Sequence, residues 1–78
     1  MKKVVTNRIT IDPDVCNGKP VIKDTRIPVH TVLDFLSAGD TVEEILKAYP
    51  ALSQEDVQAC ITYASQLMDR KYVIEAAQ

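Results

Sequence analysis

Residues 29–70 are cut twice, and the cuts decide what the chain can become. In "AGDTVEE", 38–44, Gly39 stops one helix, and Thr41 opens the next as the N-cap of a Thr-x-x-Glu capping box with Glu44. In "YPALSQED", 49–56, Pro50 ends a helix and Ser53 caps another, with Glu55 and Asp56 in a first turn where the helix dipole favours carboxylates. The three segments so bounded carry apolar residues at helical spacing. The first has Val29, Val32, Leu33 and Leu36, with Phe35 beside them and Pro28 suited to its first helical position. The second has Val42, Ile45, Leu46 and Tyr49. The third has Val57, Cys60, Ile61, Ala64, Leu67 and Met68, all expected on a buried face, and runs to about residue 70. Helices this short are marginal alone, so a three-helix bundle over 29–70 follows.

The first 28 residues read as β. In "RITID" apolar and polar residues alternate, with Ile9 and Ile11 on one face and Arg8, Thr10 and Asp12 on the other. Asp12-Pro13 ends that strand, because proline brings no donor. "PVIKDTRIP" then predicts a hairpin with short strands at 20–22 and 26–28, turning at Lys23, Asp24 and Thr25. Gly18 and Pro20 shape the corner between the strand and the hairpin. The order is strand, hairpin and three helices, in one domain spanning 1–78 with a tail at 71–78. The fold class is mainly α with a small N-terminal β part, and the short link between the second and third helices is compatible with a helix-turn-helix.

A chain of 78 residues has little core, which favours an oligomer. Its start has two lysines but no apolar run behind them, and no stretch is long enough to span a membrane, so a cytoplasmic protein with free thiols is expected. Charge is uneven. Residues 1–30 carry six cations against three carboxylates, whereas residues 31–78 carry three against eight. Any polyanion is thereby restricted to the N-terminal part.

Chemistry finds little support. Gly18-Lys19 is followed by Pro20 and a strand, not by Ser or Thr and a helix, so a phosphate-gripping loop is disfavoured. His30 is the one histidine, without a nucleophile and an acid around it. With Cys16 and Cys60 it makes at most an incomplete zinc set. The helix starts account for the carboxylates Glu43, Glu44, Glu55 and Asp56. No enzyme, cofactor, metal or small-molecule substrate is expected.

Binding sites are better candidates. Lys19, Lys23 and Arg26 form a cationic hairpin that could approach DNA backbone, although Arg26 is better read as structural, bridging to Asp34, to Glu44 or to a helix end. Ser53, Gln54 and Gln58 at the start of the third helix could read base edges, but Glu55 and Asp56 there repel phosphate. Beyond Met68, the run Tyr72, Val73 and Ile74 either packs on the domain or its dimer mate, or inserts into a partner's groove.

Taken together, "GKPVI", "TRIPV", "AGDTVEEIL" and "YPALSQEDVQAC" resemble the bacterial domain-of-unknown-function family 433, over about residues 9–67. The resemblance implies a helix-turn-helix, winged-helix-like domain that dimerises. It implies an antitoxin of a type II toxin–antitoxin pair, partnered by a PIN-like toxin and able to bind operator DNA. Stand-alone DNA-binding regulation and a structural or adaptor homodimer are the alternatives. The family usually has Gly before Thr25. Asp24 stands there in this chain, so a positive-φ turn would be held by a non-glycine residue.

Overall fold

The structure, a computed structural model, describes residues 3–69. Its order is β1 (Lys3–Val4), β2 (Ile9–Ile11), a single turn at Cys16–Gly18, β3 (Val21–Ile22), α1 (Val29–Ser37), α2 (Val42–Ala48) and α3 (Gln54–Met68). The protein is mainly helical with a small N-terminal antiparallel sheet, in the order β1-β2-β3. Thr10 in the middle strand faces Val4 on one side and Val21 on the other.

The helix boundaries follow the punctuation. α1 ends in a Schellman motif: the Gly39 N–H donates to the Leu36 carbonyl and the Asp40 N–H to the Phe35 carbonyl, both at 3.0 Å, with Gly39 at φ 96°. One residue later Thr41 caps α2. α3 opens with a second capping box, in which Asp56 takes the place of the usual Glu. Pro28 is the N-cap of α1 and not its first helical residue, with its carbonyl accepting from Thr31 at 3.1 Å.

The hairpin is only half formed. The Ile22 N–H donates to the Ile27 carbonyl and the Thr25 N–H to the Ile22 carbonyl, each at 3.0 Å, so the turn at 23–25 is present. Its second arm at 26–28 is reduced to a bridge between Val21 and Pro28, since proline has no N–H to continue a ladder. Asp24 holds φ 63°, the positive-φ turn residue expected there. β1 adds a strand that the pattern did not reveal.

The core joins sheet and bundle: Ile9, Ile22, Val29, Val32, Ile45, Leu52, Val57 and Cys60 are buried in one cluster. Thr10, on the opposite face of β2 from Ile9, is 3% exposed and lines a cleft with the loop after β2 and the turn at 24–26. One expectation about faces needs correction. On α3 only Val57 and Cys60 of the expected face are buried, whereas Ile61, Leu67 and Met68 are 46%, 42% and 70% exposed. The cause is length. At about 1.5 Å per residue, α3 is roughly 22 Å long, against roughly 14 Å for α1 and 10 Å for α2, so less of the bundle lies opposite its far end, and an open groove separates Leu67 from α1.

Candidate functional site

The start of α3 is the most elaborated part of the surface. The Ser53 N–H donates to Asp56 Oδ2 at 2.9 Å and the Asp56 N–H donates to Ser53 Oγ at 3.2 Å. The other Asp56 oxygen accepts from Arg8 Nη1 at 2.9 Å. The turn between β1 and β2 aims that arginine: Thr6 Oγ1 accepts from the N–H groups of both Arg8 and Ile9 at 3.1 Å. Burial pushes the Asp56 carboxyl up, but the Ser53 N–H, the Arg8 guanidinium and the Ser53 hydroxyl together outweigh it and hold its pKa below the usual carboxylate range. The N-terminal sheet is thus clamped to the last helix. Glu44 in the other capping box is likewise lowered, by the Thr41 N–H and hydroxyl.

This changes the reading of the proposed base-contacting residues. The Ser53 hydroxyl is occupied by the cap. Gln54 and Gln58 are exposed, and Gln58 shares a shallow cleft of about 260 Å³ with Thr6, Asn7, Glu55, Thr62 and Gln66. The carboxylate of Asp56 is neutralised internally, whereas Glu55 is exposed.

The cations of the hairpin do not converge on one cleft. Lys19 lines a groove between α1 and α3, while Arg26 lines a different cleft of about 370 Å³ with Thr10, Asp12, Asp24 and Thr25. Arg26 does not bridge to Asp34 or Glu44. Its carbonyl instead accepts from Cys16 Sγ at 3.3 Å, and its side chain makes no ion pair among the described residues. Asp34 pairs with His30, at 3.2 Å on the exposed face of α1. Gly18, at φ 79°, ends a left-handed turn with Cys16 and Asn17, and the Pro20 carbonyl accepts the Val29 N–H at 2.9 Å, so this corner leads into α1. Thr25 closes the hairpin turn, its hydroxyl donating to the Ile22 carbonyl at 2.7 Å. Tyr72, Val73 and Ile74 lie outside the described residues.

No group of three or more His, Cys, Asp or Glu able to hold a metal occurs among the described residues. Cys60 is fully buried, and burial first and the Asp56 charge second push its thiol up to about 11. The sequence reading missed Arg8 as a partner for α3, since Asp56 three residues after the Ser53 cap signals the capping box and nothing local points to Arg8, 48 residues away. No described helix is long and apolar enough to cross a membrane.

A three-helix domain with a small antiparallel sheet, clamped through its last helix and lacking a described metal cluster, defines a class of small helical module. Residues 9–64 match the model of the family "Protein of unknown function (DUF433)", and the chain belongs to that family. It is 39% identical over 56 residues to the uncharacterized protein y4eO of Sinorhizobium fredii (strain NBRC 101917 / NGR234), covering 72% of this chain and 25% of that protein. The crystal structure of a DUF433 member protein from Anabaena variabilis ATCC 29413 is similar at TM-score 0.74 and 41% identity, covering 78% of this chain and 60% of that one. The chain therefore spans a quarter of the first relative's length and less than two thirds of the second's.

Proposed function

We propose that the domain is a non-enzymatic binding module serving as the antitoxin of a type II toxin–antitoxin pair, occluding a PIN-like ribonuclease toxin. The observation that carries this reading is the end of α3. Met68 is 70% exposed there, and Tyr72, Val73 and Ile74 follow in sequence. An apolar run three charged residues beyond an exposed apolar helix end suits insertion into a partner's groove. The charge balance points the same way. With Glu55 exposed and Arg8 committed to Asp56, the start of α3 is poorly equipped to meet phosphate, so a protein partner is favoured over nucleic acid as the main target.

Operator binding is the second reading, favoured by one feature. Gln54 and Gln58 are exposed at the start of α3, which five residues separate from the end of α2. Such binding needs the cations Lys19, Lys23 and Arg26, a dimer, or a basic partner.

The test is purification of the tagged protein from its own host with identification of what accompanies it. A stoichiometric small protein with the clustered carboxylates of a PIN-like nuclease supports the antitoxin reading. Its loss when residues 70–78 are deleted assigns the contact to the tail. A gel shift on upstream DNA with no such partner moves the function to a stand-alone regulator, and neither result leaves an adaptor.

A further inference from the structure

We propose that the cleft on the outer face of the sheet binds a free basic amino acid of the lysine or arginine kind. The two faces of the sheet are used differently. Ile9 and Ile22, partners across β2 and β3, belong to the core cluster with the helices, whereas the next pair, Thr10 and Val21, lines the opposite face. A cleft of about 370 Å³ opens there, between the loop after β2 and the turn at 24–26, and its size suits one small metabolite. Thr10 carries the argument. It is 3% exposed, and its hydroxyl makes no hydrogen bond among the described residues. No fully buried side-chain oxygen or nitrogen among them lacks a partner, so the hydroxyl is the part of Thr10 that reaches the cleft. An almost wholly buried hydroxyl without a protein partner asks for another one, and a ligand in the cleft supplies it.

The charges around it are uncommitted too. Among the described residues Arg26 makes no ion pair, and the Asp24 carboxylate makes neither an ion pair nor a hydrogen bond. Asp12 accepts the Asp14 N–H with Oδ1 at 2.9 Å and keeps its other oxygen. Asp12 and Asp24 against Arg26 leave the cleft with one net negative charge, so its complement carries one more cation than anion. The guanidinium fork of Arg26 matches a carboxylate, and the two carboxylates match cationic N–H donors. Val15 and Val21 add an aliphatic wall, which suits a methylene chain. An α-carboxylate, an α-ammonium and a side-chain cation joined by methylenes are together what lysine and arginine present. A polyanion would meet the two carboxylates, and a bare metal ion would meet Arg26. The backbone is held in place as well. The non-glycine residues at positive φ among the described residues are Cys16 at 51°, Asn17 at 57° and Asp24 at 63°, and all lie in the two segments that border the cleft. Cys16 Sγ ties those segments together by donating to the Arg26 carbonyl at 3.3 Å. The site shares no residue with the end of α3, so it stands whether or not that end meets a partner.

The experiment is a heteronuclear NMR titration of the full chain with L-lysine and L-arginine. At millimolar ligand, saturable shifts should be confined to amides of the cleft. Two comparators separate the charged groups of the ligand. Cadaverine, which is lysine without its carboxylate, and L-norleucine, which lacks the side-chain ammonium, should each bind about tenfold more weakly than lysine, the order that one charged hydrogen-bonding group sets. Arg26→Gln should weaken lysine by about the same tenfold and leave cadaverine unchanged, whereas Asp24→Asn should weaken both. Thr10→Val, close in shape, should weaken lysine while circular dichroism stays that of the wild type. The comparator ligands act on the wild-type chain, so they decide the matter even where a variant fails to fold. No saturable shift with either amino acid overturns the proposal. So does equal binding of lysine and cadaverine, or an Arg26→Gln chain that binds lysine as tightly as the wild type.

Discussion

Replacing Arg8 with Ala removes the one described ion pair that ties the sheet to the last helix, and its effect can be worked from the contact. The Arg8–Asp56 pair is 2.9 Å long, with the guanidinium side 41% exposed and the carboxylate side 14% exposed. In a fully dry interior such a pair would be worth many kcal/mol, but solvent around Arg8 screens it to about 1 kcal/mol. Asp56→Asn keeps an oxygen able to accept the Ser53 N–H but loses the pair and the favourable charge at the helix start, a total of about 1.5 kcal/mol. Asp56→Ala also loses the acceptor, and should cost about 2 kcal/mol. The double variant Arg8→Ala, Asp56→Asn should be little worse than Asp56→Asn alone, giving a coupling of about 1 kcal/mol. Urea unfolding at pH 7 and low salt measures the four variants against the wild type. The Asp56 pKa is lowered on folding, so its contribution is complete above the unfolded value of 3.8 and is lost as pH falls through the folded value. The coupling should therefore fade in strong acid. Additive losses at pH 7, with coupling under about 0.3 kcal/mol, would refute the clamp.

Gly39→Ala should cost about 1 to 2 kcal/mol from backbone strain alone, since φ is 96° and a methyl group would meet nothing within 4 Å; thermal denaturation reads it. Asp24→Gly, relieving φ 63°, should leave stability within about 0.5 kcal/mol of wild type or raise it, and a clear loss would mean that the Asp24 side chain stabilises the turn. Ile45→Ala, at a fully buried site, should cost about 2 to 4 kcal/mol in urea unfolding. In thiol labelling at mild alkaline pH, Cys16 should react in the native protein and Cys60 only on unfolding. The Cys60 thiol has its pKa raised from 9.0 to about 11, so its contribution is complete below pH 9 and declines as pH rises towards 11.

The helices were legible because their ends are local chemistry. Gly39, Thr41, Pro50 and Ser53 act on the backbone within a few residues, and no tertiary contact is needed to recognise them. The sheet was less so. β1 is two residues long, too short for alternation to register, and it exists because β2 offers it a free edge. Helical spacing identified the apolar arc of α3 correctly but not its burial, for burial depends on what lies opposite, and α1 borders Leu67 only across an open groove. Alternation put Thr10 on the face opposite Ile9, but which segments line that face, and so its burial, depends on contacts that alternation does not describe. Arg26 drew attention through its neighbours in sequence, while the arginine that forms the long-range pair is Arg8, 48 residues from its partner. Spacing carries no information about such a distant contact.

That separation has a practical consequence for where the domain may be cut. The stretch shared with the family runs from 9 to 64, and a fragment trimmed to it would retain every member of the buried cluster. It would also begin one residue after Arg8, discard β1, and end before Leu67 and Met68. Such a fragment would have the family's interior without the strap across it or the apolar overhang outside it. The outer few residues at each end, which similarity leaves out, are where this member straps its sheet to its last helix and where its helix end stands exposed.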